Sequence, residues 1–241
     1  MAKKLKHRKR QGLLDETIEA LMKEEYFQPT AFQTEAQIRT KTTQEIKEAV
    51  NQILDDDPFE RCWATIKEEL PSHYSPEVIA TLTHTLSEAL QKAQQPNHLL
   101  QEQTLQEQLG LGEETLKYFY DMGYALYSHA EFAKAADVFE FLCLMNSFQY
   151  NYLFSYGSAL IGLEKWHDAL VVLGMSSLLE PSDPNPHLWS AFCHIKLGDH
   201  ANAKLNLEEA APLISKSPLK EQQEKQLDQL NKLIDVTQNH H

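Results

Sequence analysis

The chain has 241 residues, of which 42% are hydrophobic, with only 8 glycines and 10 prolines, a balance that favours a packed, all-helical protein. Its formal net charge is −13, and six of its 22 basic residues (Lys3, Lys4, Lys6, Arg8, Lys9, Arg10) fall in the first ten positions, leaving 16 basic against 35 acidic side chains in the rest. A body that acidic repels phosphate backbones, which argues against a nucleic-acid binder.

Residues 1–12 read as a basic, solvated tail. Asp15-Glu16 follow too soon for the apolar stretch of an export signal, and no run approaches the roughly 20 apolar residues that span a bilayer. Cys62, Cys143 and Cys193 are odd in number, far apart and without a CxxC pair. They read as reduced thiols of a cytoplasmic protein that does not insert in membranes.

Residues 13–110 read as a helical N-terminal extension and linker. The first helix is expected over 17–27, with Ile18, Leu21 and Met22 on one face. The second, over 43–54, places Ile46, Val50, Ile53 and Leu54 on a stripe and is stopped by Asp55-Asp56-Asp57-Pro58. Phe59, Trp63, Ile66 and Leu70 make a shorter amphipathic piece. Ser75-Pro76-Glu77 is a helix start, followed by the stripe Val78, Ile79, Leu82, Leu86 and Leu90. That stripe is expected either to cover a groove elsewhere in the chain or to pack on a second copy. Residues 91–108, interrupted by Pro96-Asn97, read as a linker with some helical tendency.

From residue 111 the sequence repeats itself with a period of 34. Gly123, Gly157 and Ala191 stand in register, as do Ala135, Ala169 and Ala203; Phe139, Leu173 and Leu207; and the bulky series Phe132, Trp166 and His200. Four columns over three copies specify tandem tetratricopeptide-type hairpins, each a pair of antiparallel helices. The small residue in the first helix lets the second approach, and the large apolar residue fills the gap left between them. A lone hairpin cannot bury both faces, so the units stack into a curved array with a concave groove. The expected domain is 111–241, all-α, with repeats 116–149, 150–183 and 184–217. A capping helix over 218–236 opens at Pro218 and carries Leu219, Leu227, Leu230, Leu233 and Ile234.

Catalytic constellations are missing. There is no GxxxxGK[ST] loop, GxGxxG turn, GxSxG elbow or HExxH helix, so neither an enzyme nor a bound cofactor is expected. Cys193-His194 invites a nucleophile or metal reading with His187 and His200, but the spacing does not suit zinc. The repeat register puts Cys193 in the small, buried column of Ala125 and Ala159.

The concave surface of such an array is lined by positions 2, 5, 9 and 12 of each first helix. These are Lys117, Tyr120, Tyr124 and Tyr127; Asn151, Phe154, Ser158 and Ile161; and Asn185, Leu188, Phe192 and Ile195. Most are aromatic or large aliphatic and only Lys117 is charged, a composition suited to an extended peptide. Tyr120, Tyr124, Tyr127, Phe154, Ile161, Leu188, Phe192 and Ile195 are therefore the expected peptide-binding residues. The tyrosines also exclude a clamp for acidic C-terminal tails, which needs charged donors there.

The segments Glu114-Thr115-Leu116 through Tyr127, Phe139-Glu140-Phe141-Leu142-Cys143-Leu144-Met145, Tyr156-Gly157-Ser158-Ala159, Phe192-Cys193-His194 and Ala211-Pro212-Leu213-Ile214 resemble the class II chaperones of type III secretion, the SycD/LcrH/IpgC-like family. The likeness covers about residues 110 to 236. It implies a cytosolic chaperone without ATPase activity that holds a translocator or effector before export. The client is an extended segment with proline and leucine anchors, contacted by Tyr120, Tyr124, Tyr127, Phe154, Phe192 and Ile195. Family members have a few dozen residues before the first repeat; the longer extension here is similar to the chlamydia-type branch. The resemblance leaves a homodimer open, and a tetratricopeptide-repeat scaffold or regulatory adaptor is the alternative reading.

Overall fold

The computed structural model describes residues 58–93 and 104–238; the basic tail and the helices expected over 17–27 and 43–54 lie outside the described residues. The helices are α1 (Pro58–His73), α2 (Pro76–Ala93), α3 (Leu105–Leu109), α4 (Glu113–Ser128), α5 (Phe132–Met145), α6 (Tyr150–Gly162), α7 (Trp166–Leu179), α8 (Asn185–Lys196), α9 (His200–Ile214) and α10 (Lys220–Gln238). No described helix is long and apolar enough to cross a membrane.

The repeat is visible in its turns. Ala130, Glu164 and Gly198 occupy equivalent positions and all have left-handed backbone, with φ of 60°, 58° and 75°. At each, two amides close the end of the preceding helix. Ala130 N–H bonds the carbonyl of Tyr127 and Glu131 N–H that of Leu126; Glu164 and Lys165 bond Ile161 and Leu160; Gly198 and Asp199 bond Ile195 and His194. This paired closure satisfies the orphan carbonyls and turns the chain for the second helix of a hairpin.

Three hairpins result, α4–α5, α6–α7 and α8–α9, and each second helix also packs on the first helix of the next unit. The first helices α4, α6 and α8 approach one another, whereas the second helices keep further apart. The stack therefore curves with α4, α6 and α8 on its inner side. The sequence columns are the contacts that hold it. A Cβ at Gly123 would lie 2.9 Å from the Phe139 ring, and one at Gly157 would lie 3.1 Å from Leu173. Ala191 and Leu207 are the buried third pair.

The bulky column reaches forward to the next unit. Phe132 of α5 lies on the backbone of α6, where a Cβ at Gly162 would sit 2.5 Å from its ring. Trp166 of α7 meets Phe192 of α8 edge-on at 5.8 Å. His200 of α9 pairs with the Thr237 hydroxyl of α10 at 2.8 Å. α10 thus stands where the first helix of a fourth unit would be, packed on both α8 and α9.

The first three helices join the same body, which moves the boundary expected at residue 110. α1 lies along α5 with Cys62, Ile66 and Leu70 buried beneath it. Phe59 and Trp63 pack on the Phe141 ring at 5.8 and 6.2 Å. Arg61 donates to Asp137 at 2.9 Å and to Glu140, Thr65 donates to Asp137 at 2.6 Å, and Lys134 pairs with Glu69 at 2.7 Å. Leu82 and Leu86 of α2 are buried in the core that α1 shares with the first two repeats, and Val78 and Ile79 pack against it. These four residues of the stripe are thus used inside the body. Part of the expected linker is also structured: Thr104 and Glu107 form a capping box on α3, and Leu109 and Leu111 are buried. Each fully buried Leu or Phe contributes about 1.5–3 kcal/mol, so residues 58–111 supply a substantial part of the stability.

A second core lies at the other end. Leu188, Ala191 and Ile195 of α8 meet Ala203, Leu207, Ala210 and Ile214 of α9 and Leu230 and Ile234 of α10.

Candidate peptide-binding groove

The inner face is built from the first helices, whose turns of aromatic residues follow from the 34-residue register. Tyr120 of α4 is half-buried against Phe139 and Tyr152, and its hydroxyl meets Ser155 of α6 at 3.2 Å. Tyr124 is 61% exposed. Tyr127 is half-buried with its ring 5.4 Å from Phe132, and burial pushes its phenol upward. On α6, Phe154 stacks on Tyr150 at 5.6 Å, and the Tyr150 hydroxyl donates to Asp183 at 2.5 Å. Burial, then that carboxylate, drives the Tyr150 phenol well above its usual range. Ile161 is half-buried on the same core. On α8, Phe192 is bordered edge-on by Trp166 and Trp189, with the Lys196 ammonium 5.3 Å from its ring.

Six of the eight expected residues, Tyr120, Tyr124, Tyr127, Phe154, Ile161 and Phe192, therefore keep accessible surface on the inner helices. Leu188 and Ile195 do not. Both are buried in the core of α8, α9 and α10, because α10 covers the side of α8 where the earlier units meet a further repeat. Trp189, Trp166 and Lys196 were not foreseen as part of this face. Trp166 stood in the bulky column and could have been found; Trp189 corresponds to Asp121 and Ser155 in the other units, so the repeat gives no sign of it.

The face is suited to burying apolar side chains. Cys193 is fully buried, which holds its thiol up at about 12. Burial lowers His194, whose Nδ1 lies 3.4 Å from the Asp199 carboxylate without hydrogen-bond geometry. Among the described residues one set of metal-ligand types converges, Cys62, Asp137 and Glu140, with atoms within 4.8 Å. Arg61 already places its guanidinium on both carboxylates, and burial disfavours the Cys62 thiolate a metal would need.

No protein-family model and no curated protein matches the sequence. Solved structures do. The CopN–Scc3 complex contains a chain with 24% identity and a TM-score of 0.50, the likeness covering 74% of this chain and 95% of that one. The Yersinia enterocolitica type III secretion translocator chaperone SycD matches at 20% identity and a TM-score of 0.51, over 54% of this chain and 98% of SycD. SycD in complex with a peptide of the translocator YopD matches at 18% identity and a TM-score of 0.50, over 53% and 98%. At these identities the likeness is one of fold: the described body is an all-α stack of tetratricopeptide-type hairpins built like the type III secretion translocator chaperones.

Proposed function

We propose that this chain is a cytosolic, non-enzymatic chaperone of type III secretion that holds a translocator or effector before export by binding an extended apolar segment on the inner face of α4, α6 and α8. The observation that carries the reading is the row of aromatic side chains on the inner helices that keep accessible surface: Tyr124, 61% exposed, and Tyr120, Tyr127, Phe154 and Phe192, each resting partly buried on the core beneath it. Aromatic side chains bury large areas at little cost in side-chain entropy, which suits capture of a chain that is itself extended. SycD, which has the same fold, has been crystallised with a peptide of the translocator YopD.

The test is peptide binding. Labelled peptides tiled along the translocators secreted by the same organism are titrated with the full-length protein and followed by fluorescence anisotropy. Tyr124→Ala should weaken the best binder by about 1–3 kcal/mol, with Phe192→Ala adding to the loss. Helicity should not change, because Tyr124 is largely in solvent. Full affinity in the Tyr124→Ala, Phe192→Ala double variant removes the groove assignment.

A further inference from the structure

The three second helices α5, α7 and α9 are equivalent in the repeat, yet their outer faces differ. On α5 that face is covered by α1, which meets Lys134, Asp137, Glu140 and Phe141. One repeat further on, the same positions of α7 are Asp168, Val171, Gly174 and Met175; another step gives Asn202, Leu205, Glu208 and Glu209 on α9. The α9 face is polar apart from Leu205, a lone apolar side chain that is 55% exposed among Asn202, Glu208 and Glu209. The α7 face is apolar, yet Gly174 and Leu178 are exposed, Leu178 by 50%, and Val171 and Met175 are only half-buried.

Beyond its first turn, which carries His167 and Asp168, α7 is apolar on most sides, with Leu170, Val171, Val172, Leu173, Met175, Leu178 and Leu179 and only Ser176 and Ser177 polar, a composition closer to that of a buried helix than of a surface one. Gly174 adds a second sign. Gly123, Gly157 and Gly162 each have a neighbour that a Cβ would crowd, but a Cβ at Gly174 would have no described atom within 4 Å. A glycine inside a helix weakens it, and nothing in this body requires one there. It does permit another backbone to come close.

We propose that the outer face of α7, centred on Val171, Gly174 and Leu178, is a docking site for an amphipathic helix with basic flanks from another protein. α1 on α5 is the internal template for a helix seated at these positions. Because Val171 and Gly174 replace Asp137 and Glu140, the occupant presents apolar side chains where α1 presents Arg61. Glu164, Asp168 and Glu180 border α7 against Lys165 and His167, so the surround attracts a basic partner. The body of a second copy, with 16 basic against 35 acidic side chains beyond its first ten residues, is repelled by the same field. The site does not depend on the groove of the inner helices.

The experiment uses the full-length chain and a fluorescent, amphipathic helical peptide of leucine and lysine, with a proline-interrupted version as control. Binding of the helical peptide is expected to fall at least about tenfold in Leu178→Glu, alone or with Val171→Glu. Non-specific attraction predicts the opposite, since the added carboxylates would draw a basic peptide in. Gly174→Ala should raise the melting temperature while weakening the peptide. Leu205→Glu on α9 and Tyr124→Ala on α4 should leave it unchanged, which separates this site from the groove. Peptide affinity insensitive to Leu178→Glu, or no preference for the helical peptide, overturns the proposal. So does a photo-crosslinker at position 178 that captures residues 1–57 of the same chain or a second copy instead of the peptide.

Discussion

The two ends of the stack are closed by helices in different ways. α10 continues the array: it packs on α8 and α9 as the first helix of a further unit would, and His200–Thr237 extends the series that begins with Phe132 on Gly162. Its contact is apolar, through Leu227, Leu230, Leu233 and Ile234, with the Gln223 amide bonding Asn185 at 3.1 Å. α1 does not continue the array. It lies along α5 and is held by aromatic contacts and by a charge set in which Glu140 is almost fully buried. Burial pushes the Glu140 carboxyl above its ordinary range; Arg61 and the Tyr156 hydroxyl act against that shift. The end that repeats the array is held mainly by hydrophobic complementarity, with neutral hydrogen bonds at its margins. The end that departs from it adds ion pairs between α1 and α5, Arg61 with Asp137 and Glu140 and Glu69 with Lys134.

The sharpest way to break this comparison is to empty the α10 contact. Ile234→Ala removes a fully buried side chain and should cost about 2–5 kcal/mol. Because Ile234 belongs to the separate core of α8, α9 and α10, protection from amide exchange should fall there first and persist in α1, α4 and α5. Uniform loss along the chain would show that the two ends unfold as one.

The corresponding change at the other end is Arg61→Ala. Removing one partner of a buried pair costs about 3–5 kcal/mol, but 39% of the Arg61 side chain is in solvent, so about 2 kcal/mol is expected. Adding Glu140→Gln to that variant should restore part of the loss, because an uncompensated buried charge is removed. The pH dependence follows the same sign. A carboxyl whose folded pKa is raised favours folding below its unfolded pKa, and that contribution is lost as pH rises through the folded value. Arg61→Ala should therefore lose less stability at pH near 4 than at pH 7, measured by denaturant titration at both. Equal losses would place Glu140 in contact with water.

The repeated part of the molecule was legible because one register fixes many residues at once. The columns Gly123/Gly157/Ala191 and Phe139/Leu173/Leu207 are contacts between the paired helices, and Phe132/Trp166/His200 are contacts to the next unit. The α1 clamp was not legible. Arg61 and Asp137 are 76 residues apart, and the pairing occurs once, so no periodicity exposes it. Leu188 and Ile195 were misplaced for a related reason. They share the register of Tyr120 and Tyr127, but the helix beside them is α10, which buries them.

Gly162→Ala tests the forward contact of the first unit. The new methyl would overlap the Phe132 ring, and overpacking of this kind costs about 1–3 kcal/mol. The displaced ring also borders Tyr127, so binding of a groove peptide should weaken along with stability. A stability loss with unchanged peptide affinity would separate Tyr127 from the binding face.

The smallest expected effects come from the three equivalent turns, and they test whether the ends are energetically separate without touching either core. Ala130 and Glu164 hold the left-handed conformation that Gly198 adopts freely, with the same two hydrogen bonds in each case. A side chain in that conformation costs about 1 kcal/mol relative to glycine. Ala130→Gly and Glu164→Gly should each stabilise by up to about 1 kcal/mol, less the greater freedom glycine gives the unfolded chain. Gly198→Ala should destabilise by about 1 kcal/mol. Ala130 and Gly198 close the first and third units, so the two changes should act on different regions. Amide exchange in α4 and α5 should slow in Ala130→Gly and be untouched in Gly198→Ala, which should accelerate exchange in α8 and α9 alone. If either substitution alters exchange equally at both ends, the two cores are one cooperative unit, and the separation inferred from their packing fails.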